Sequence, residues 1–105
     1  NRVRGFGRLR DLDTTWTAEN LGLATAPFDD IKGGDVTTNL RMIEDILAGR
    51  GPRGLVDTIV LNTAVALWVC GQTTSPGEGI ARARDLLLGG AVRAKIAATA
   101  DFFRS

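Results

Sequence analysis

The stretch from Leu55 to Gly71, LVDTIVLNTAVALWVCG, constrains this chain more than any other. Apolar residues fill almost every position, and the main interruptions are Asp57, Thr58, Asn62 and Thr63. The piece DTIVLN alone is compatible with a buried strand, but the length of the run favours a helix. Pro52 stands near its first position and Gly71 past its end. A helix that is apolar nearly all round must be surrounded by other elements. The expectation is a helix from about Pro52 to Cys70 that forms the most buried element, with Trp68 and Cys70 inside. A chain of 105 residues buries enough surface for one modest core.

The flanking pattern supplies partners for that helix. Val36, Leu40, Ile43 and Leu47 recur on one helix face, and Gly49 closes it. Ser75-Pro76-Gly77-Glu78 reads as a capping box with proline at the first helical position. Ile80, Ala83 and Leu87 then share a face that Gly89-Gly90 ends, and a last helix carries Val92, Ile96, Thr99 and Phe103 on one stripe. Residues 1–17 alternate with a period of two and favour strands, Thr14 to Thr17 being the second and Asp11 to Asp13 the connection. The glycines of the first strand mark a bulge or a close backbone approach. The expected organisation is therefore 1–17 strands, 18–34 an irregular link and 35–105 helices: a mainly α-helical segment of about four helices with one or two short N-terminal strands.

Chemistry is harder to find. There is no histidine and no tyrosine, which removes imidazole catalysis, histidine-ligated metals and phenol chemistry. Cys70 is the one cysteine; it cannot form an internal disulfide, and its apolar surroundings read as structural. Lys32-Gly33-Gly34-Asp35 looks like a phosphate cradle, yet the lysine precedes the glycines, whereas a P-loop lysine follows them. Asp35 would also set a negative charge at a helix start, the wrong sign for an anion site. It reads as an N-cap. GFGRLR has two of the three glycines of a dinucleotide loop and no helix after it. The acidic pairs Asp29-Asp30 and Glu44-Asp45 diverge instead of converging on a cation. Ser75 has no base beside it, and Trp68 and Phe103 read as core. Arg2, Arg4, Arg8 and Arg10 are the only local support for phosphate or nucleic acid, against a net charge of only +1. No catalytic, substrate-binding or metal-ligating residue is assigned on these grounds.

No apolar run reaches the ~18–20 residues of a membrane span. The opening NRVRGFGRLR lacks the apolar core of a signal peptide and an initiator methionine, so the chain is expected to be part of a longer protein.

The order of the helical motifs resembles the anthranilate phosphoribosyltransferase family. The residues that carry it are Gly33-Gly34-Asp35, Asn39, Ile46-Leu47-Ala48-Gly49, Gly51-Pro52-Arg53 and Leu61-Asn62. TWTAENLGL is similar to the family's Thr-x-Pro-Glu-Asp-Phe-Gly-Leu piece, through Thr17, Glu19, Leu21, Gly22 and Leu23, with Ala18 for its proline and Asn20 for its aspartate. EGIARARDLLLGGAV is similar to its closing helix. The resemblance covers about residues 12–103 and implies the C-terminal part of an α/β enzyme whose sheet the short strands would join. It implies transfer of ribose 5-phosphate from phosphoribosyl pyrophosphate to anthranilate in tryptophan biosynthesis, with Mg²⁺, in a cytoplasmic homodimer. The family's diphosphate loop, acidic Mg²⁺ motif and anthranilate-binding arginine precede the segment seen here, so none falls on a residue of this chain and no metal is expected on it. Its expected partner is the rest of the parent chain; alone it is expected to be inactive and to leave apolar surface uncovered. Nucleoside phosphorylases share the core fold but close with a different C-terminal domain. The alternative is a non-catalytic nucleic-acid-binding relative, which steep salt dependence would reveal.

Overall fold

The structure, a computed structural model, describes residues 1–105 as a hairpin, a link and four helices. Strand β1 (Arg2–Arg4) pairs antiparallel with β2 (Asp13–Thr15), Val3 facing Thr14. One further rung lies beyond them: the Trp16 N–H donates to the Asn1 carbonyl at 2.8 Å, and the Asn1 amino group donates to the Trp16 carbonyl at 2.9 Å. The strands are shorter than the alternation suggests. Residues Gly7–Leu9 close a 3-10 turn, and the connection runs from Gly5 to Leu12 instead of Asp11 to Asp13. Gly5 permits this tight connection, because a β-carbon there would collide with the Leu9 carbonyl. Asp13 joins β2, while Trp16 and Thr17 lie past its end.

Residues 18–34 hold two 3-10 turns, Glu19–Leu21 and Phe28–Ile31. The first is boxed reciprocally: the Thr17 N–H donates to Asn20 Oδ1 at 3.1 Å, and the Asn20 N–H donates to Thr17 Oγ1 at 3.2 Å. An aspartate at position 20 could accept the first bond equally well, so the substitution noted above keeps the turn. Leu23 then drops into the interior.

The helices are α1 (Val36–Leu47), α2 (Arg53–Val69), α3 (Pro76–Leu88) and α4 (Ala91–Arg104). The expected four helices and two short strands are thus present. Ile46 of α1, Val56 and Val60 of α2 and Ala83 and Leu87 of α3 form the core, with Leu47, Leu55, Ile59, Ile80 and Val92 packed around it. Val60 is fully enclosed, a burial that stabilises by about 1.5–3 kcal/mol. Eleven residues are buried, and α2 supplies Gly54, Val56, Asp57, Val60 and Ala64 of them, so it is the central element. Its last turn departs from expectation. Trp68 is half-buried against Trp16, at 5.7 Å between ring centroids, and Cys70 is exposed rather than enclosed.

Two other apolar stripes also lack cover. Val36, Leu40 and Ile43 are 75%, 56% and 45% exposed, and α1 reaches the core through Ile46 and Leu47 instead. On α4, Ile96 and Phe103 are 48% and 78% exposed, so Phe103 is not core. The reason is geometric: α2 and α3 fill one another's inner faces, and no element of the chain remains to lie on the outer stripes.

Candidate functional site

The Gly-Gly-Asp loop that most resembles a phosphate cradle is a closed helix cap. Asp35 is extended and its Oδ1 accepts the Thr38 N–H at 2.8 Å. Asn39, one residue further on, grips the loop from the helix side. Its Oδ1 accepts the Gly34 N–H at 2.9 Å, and its Nδ2 donates to the Gly34 carbonyl at 3.2 Å. A β-carbon at Gly33 would lie 2.8 Å from Asn39 Oδ1, and one at Gly34 would lie 3.0 Å from Thr38 Cγ2. The glycines serve close packing on the cap. The bonds from the Thr38 backbone and then its hydroxyl hold the Asp35 carboxyl below its ordinary value.

The acidic pairs separate into individual tasks. Asp30 Oδ2 accepts the Gly54 N–H at 2.9 Å and so caps α2 from 24 residues away. Gly54 permits this approach, since a β-carbon would lie 2.7 Å from Ala26 Cβ and 2.8 Å from Asp30 Oδ2. Asp45 pairs with Arg50 at 3.1 Å. No group of three or more acidic or cysteine side chains comes together that could hold a metal ion.

Of the N-terminal arginines, Arg4 and Arg10 line one groove beside Asp13, while Arg8 turns away to α2. Arg2 and Arg4 lean on Asp13 at 3.4 and 3.8 Å. Arg8 Nη2 donates to the Val69 carbonyl at 2.8 Å, a cation on the C-terminal carbonyls of α2, where the helix dipole favours it. At the start of α3, Ser75 Oγ accepts the Glu78 N–H at 3.2 Å. Glu78 reaches back one residue further than a regular capping box, with Oε2 accepting both the N–H and the hydroxyl of Thr74 at 2.9 Å. The backbone bond from Thr74 is the main reason that the Glu78 carboxyl is held below its ordinary value. Glu19 is lowered too, by its own backbone N–H first and then by the hydroxyls of Thr25 and Thr17.

Sequence reasoning missed the one buried charge. Asp57, passed over as an interruption in an apolar run, is 7% exposed and accepts Arg84 Nη2 at 2.7 Å. Its second oxygen has no hydrogen-bond donor, only the Arg53 guanidinium Nε at 3.5 Å. The signal was available: a carboxylate inside an otherwise apolar helix needs a cation from a neighbouring element. What these groups do chemically is hold helix ends and one helix crossing.

Residues 9–93 match the family model described as the glycosyl transferase family, a/b domain. The chain belongs to that family. Among curated relatives it is similar to the anthranilate phosphoribosyltransferase of Synechococcus sp. (strain RCC307), 41% identical over 67% of this chain and 20% of that protein. It is similar to the enzyme so named from Parasynechococcus marenigrum (strain WH8102), 38% identical over 77% of this chain and 23% of that protein. It is likewise similar to anthranilate phosphoribosyltransferase 1 of Nostoc sp. (strain PCC 7120 / SAG 25.82 / UTEX 2576), 38% identical over 82% of this chain and 25% of that protein. The chain thus spans only a fifth to a quarter of the length of these relatives. No solved structure matched it.

Proposed function

We propose that this chain is the C-terminal structural part of an anthranilate phosphoribosyltransferase. The whole protein would transfer ribose 5-phosphate from phosphoribosyl pyrophosphate to the amino group of anthranilate, a step of tryptophan biosynthesis, as a cytoplasmic homodimer. The observation that carries the reading is the similarity, at 38–41% identity, to relatives of that name, each spanned by this chain for only a fifth to a quarter of its length, beside the match of residues 9–93 to the glycosyl transferase family. The uncovered stripes of α1 and α4 support it, because exposed apolar side chains repeated along a helix face suit contact with the rest of a fold.

The transfer builds positive character at the anomeric carbon while pyrophosphate leaves with growing negative charge. Mg²⁺, supplied at the parent's upstream residues, would neutralise that charge, and preorganised donors would complete the work. The carboxylates here do not fit such a metal: Asp30 and Asp35 cap helices, and Asp13, Asp45 and Asp57 pair with arginines. The chain's own contribution is positional. Helices α2 and α3, tied by Asp57–Arg84 and by the close approach of Gly79 to Ala64, would hold the parent's sheet and its loops at fixed geometry.

The test is an assay with phosphoribosyl pyrophosphate, anthranilate and Mg²⁺. The longer parent protein should turn over and the purified 105-residue chain should not. Turnover by the short chain, or none by the parent, overturns the proposal.

A further inference from the structure

Asn1 ends a ladder at the mouth of a groove. Its mutual bonds with Trp16 make it the last rung of the hairpin, and Thr17 and Ala18 follow Trp16 directly on the other side of that rung. Those two residues, with Asn1, line an apolar groove of 350 Å³ whose other walls include Leu21 of the link and Leu61 and Val65 of α2. The groove shares Ala18 and Leu61 with a second one of 370 Å³, which leads on towards Leu23 and Phe28. Together they make a trough along one face of α2, on which Leu61 and Val65 are half-buried.

Several polar groups along this trough are already spent. Asn62 Nδ2 donates to the Thr58 carbonyl at 2.9 Å, the Thr17 N–H donates to Asn20 Oδ1 and the Thr17 hydroxyl accepts the Asn20 N–H, while the Asp57 carboxylate is paired with Arg84 and Arg53. A small molecule needs a few free polar groups to orient it. Apolar side chains of a passing polypeptide do not, since burial alone rewards them.

We propose that the segment immediately preceding Asn1 in the longer polypeptide lies in this trough and covers Leu61 and Val65. The inference rests on the chain being part of a longer protein, as proposed above, but not on that protein's activity. The segment leaves the ladder at the rim, so docking closes a very short loop, and short closures carry a small entropic cost.

The experiment places a cysteine at Asn62, exposed on the groove wall, in a Cys70→Ser background, and measures thiol labelling under native conditions. Asn62→Cys keeps the core intact; Val65→Cys is a second probe, and Ala98→Cys on the exposed side of α4 reports general accessibility. In the longer protein, labelling at positions 62 and 65 should be slower than in the 105-residue chain by about tenfold or more, because a docked segment must open first. Equal rates in the two proteins overturn the proposal. So does protection that appears in the short chain itself as concentration rises, which assigns the trough to a second copy. The readout is independent of phosphoribosyl transfer, so an inactive parent with a protected trough sinks the enzymatic reading and leaves this one standing.

Discussion

Arg84 Nη2 of α3 donates to Asp57 Oδ1 of α2 at 2.7 Å, and the carboxylate it reaches is 7% exposed. Truncating Arg84 leaves that charge with only the looser Arg53 contact at 3.5 Å. Loss of a hydrogen bond to a charged group costs about 1.5–3 kcal/mol. Arg84 is 39% exposed, so solvent moderates the loss and the lower end is expected for Arg84→Met. Removing the charge as well, in Asp57→Leu with Arg84→Met, should recover much of it, since an apolar replacement of a whole buried pair is often neutral. Urea denaturation of the single and double variants checks both statements. A double variant worse than the sum of the singles would contradict this account.

Gly79 of α3 sits against Ala64 of α2 so closely that a β-carbon would lie 2.9 Å from Ala64 Cα and from its carbonyl oxygen. Two effects oppose one another in Gly79→Ala. Helix propensity gains about 1 kcal/mol, while overpacking against backbone that cannot rotate away costs about 1–3 kcal/mol. The clash wins, and the variant should be less stable. Gly77, two residues earlier, meets nothing within 4 Å, so Gly77→Ala should stabilise by about 0.4–1 kcal/mol. Thermal melts of the two variants should move in opposite directions.

Local signals of this kind were legible in the sequence, and non-local ones were not. Asp35 and Ser75 announce their caps by position alone, because a cap is a contact between residues three apart. The four helices follow from periodicity in the same way. Asp30, by contrast, looks like half of an acidic pair until the fold carries Gly54 to it, and Arg8 looks free until the end of α2 arrives. The exposure of Cys70 and Phe103 was misjudged for a related reason. An apolar stripe says that a residue wants cover, and only the packing of α2 on α3 decides which stripes this chain can cover itself.

Arg8 tests that non-local class. Arg8→Ala removes a cation from the α2 C-terminus, an interaction worth about 0.3–1 kcal/mol. Arg8→Lys keeps the charge but loses the planar fork and should fall between the two. Because the bond ties the hairpin to α2, the loss should appear as faster amide exchange in the rung between Asn1 and Trp16. Unchanged exchange there would show that the hairpin is held by the contact of Trp16 with Trp68 instead.

Ser75→Ala should cost about 1 kcal/mol, the usual value of an N-cap oxygen. Ser75→Asp should restore it, since an aspartate accepts the same Glu78 N–H and its charge suits a helix start. A chemical melt that places Ser75→Asp level with Ser75→Ala would show that Glu78 and Thr74 hold this turn without help.

The acid limb of the stability curve follows from three carboxylates whose values are lowered on folding: Glu19 by its own backbone N–H, Asp35 by the Thr38 backbone and Glu78 by the Thr74 backbone. A carboxyl lowered in the folded state binds fewer protons there than in the unfolded chain, so its contribution is complete above the unfolded value, about 4. It is lost as pH falls through the lower folded value. Stability should therefore be level with respect to these groups above about pH 5 and decline below about pH 4, with no histidine to add a step near neutrality. Asp35→Asn and Glu78→Gln keep an acceptor but cannot titrate, so each should flatten the acid decline while lowering stability near neutrality. Denaturation midpoints measured from pH 2 to pH 7, the range of ordinary carboxylate titration, decide it: an unaltered acid slope in the double variant would overturn the assignment of the decline to Asp35 and Glu78.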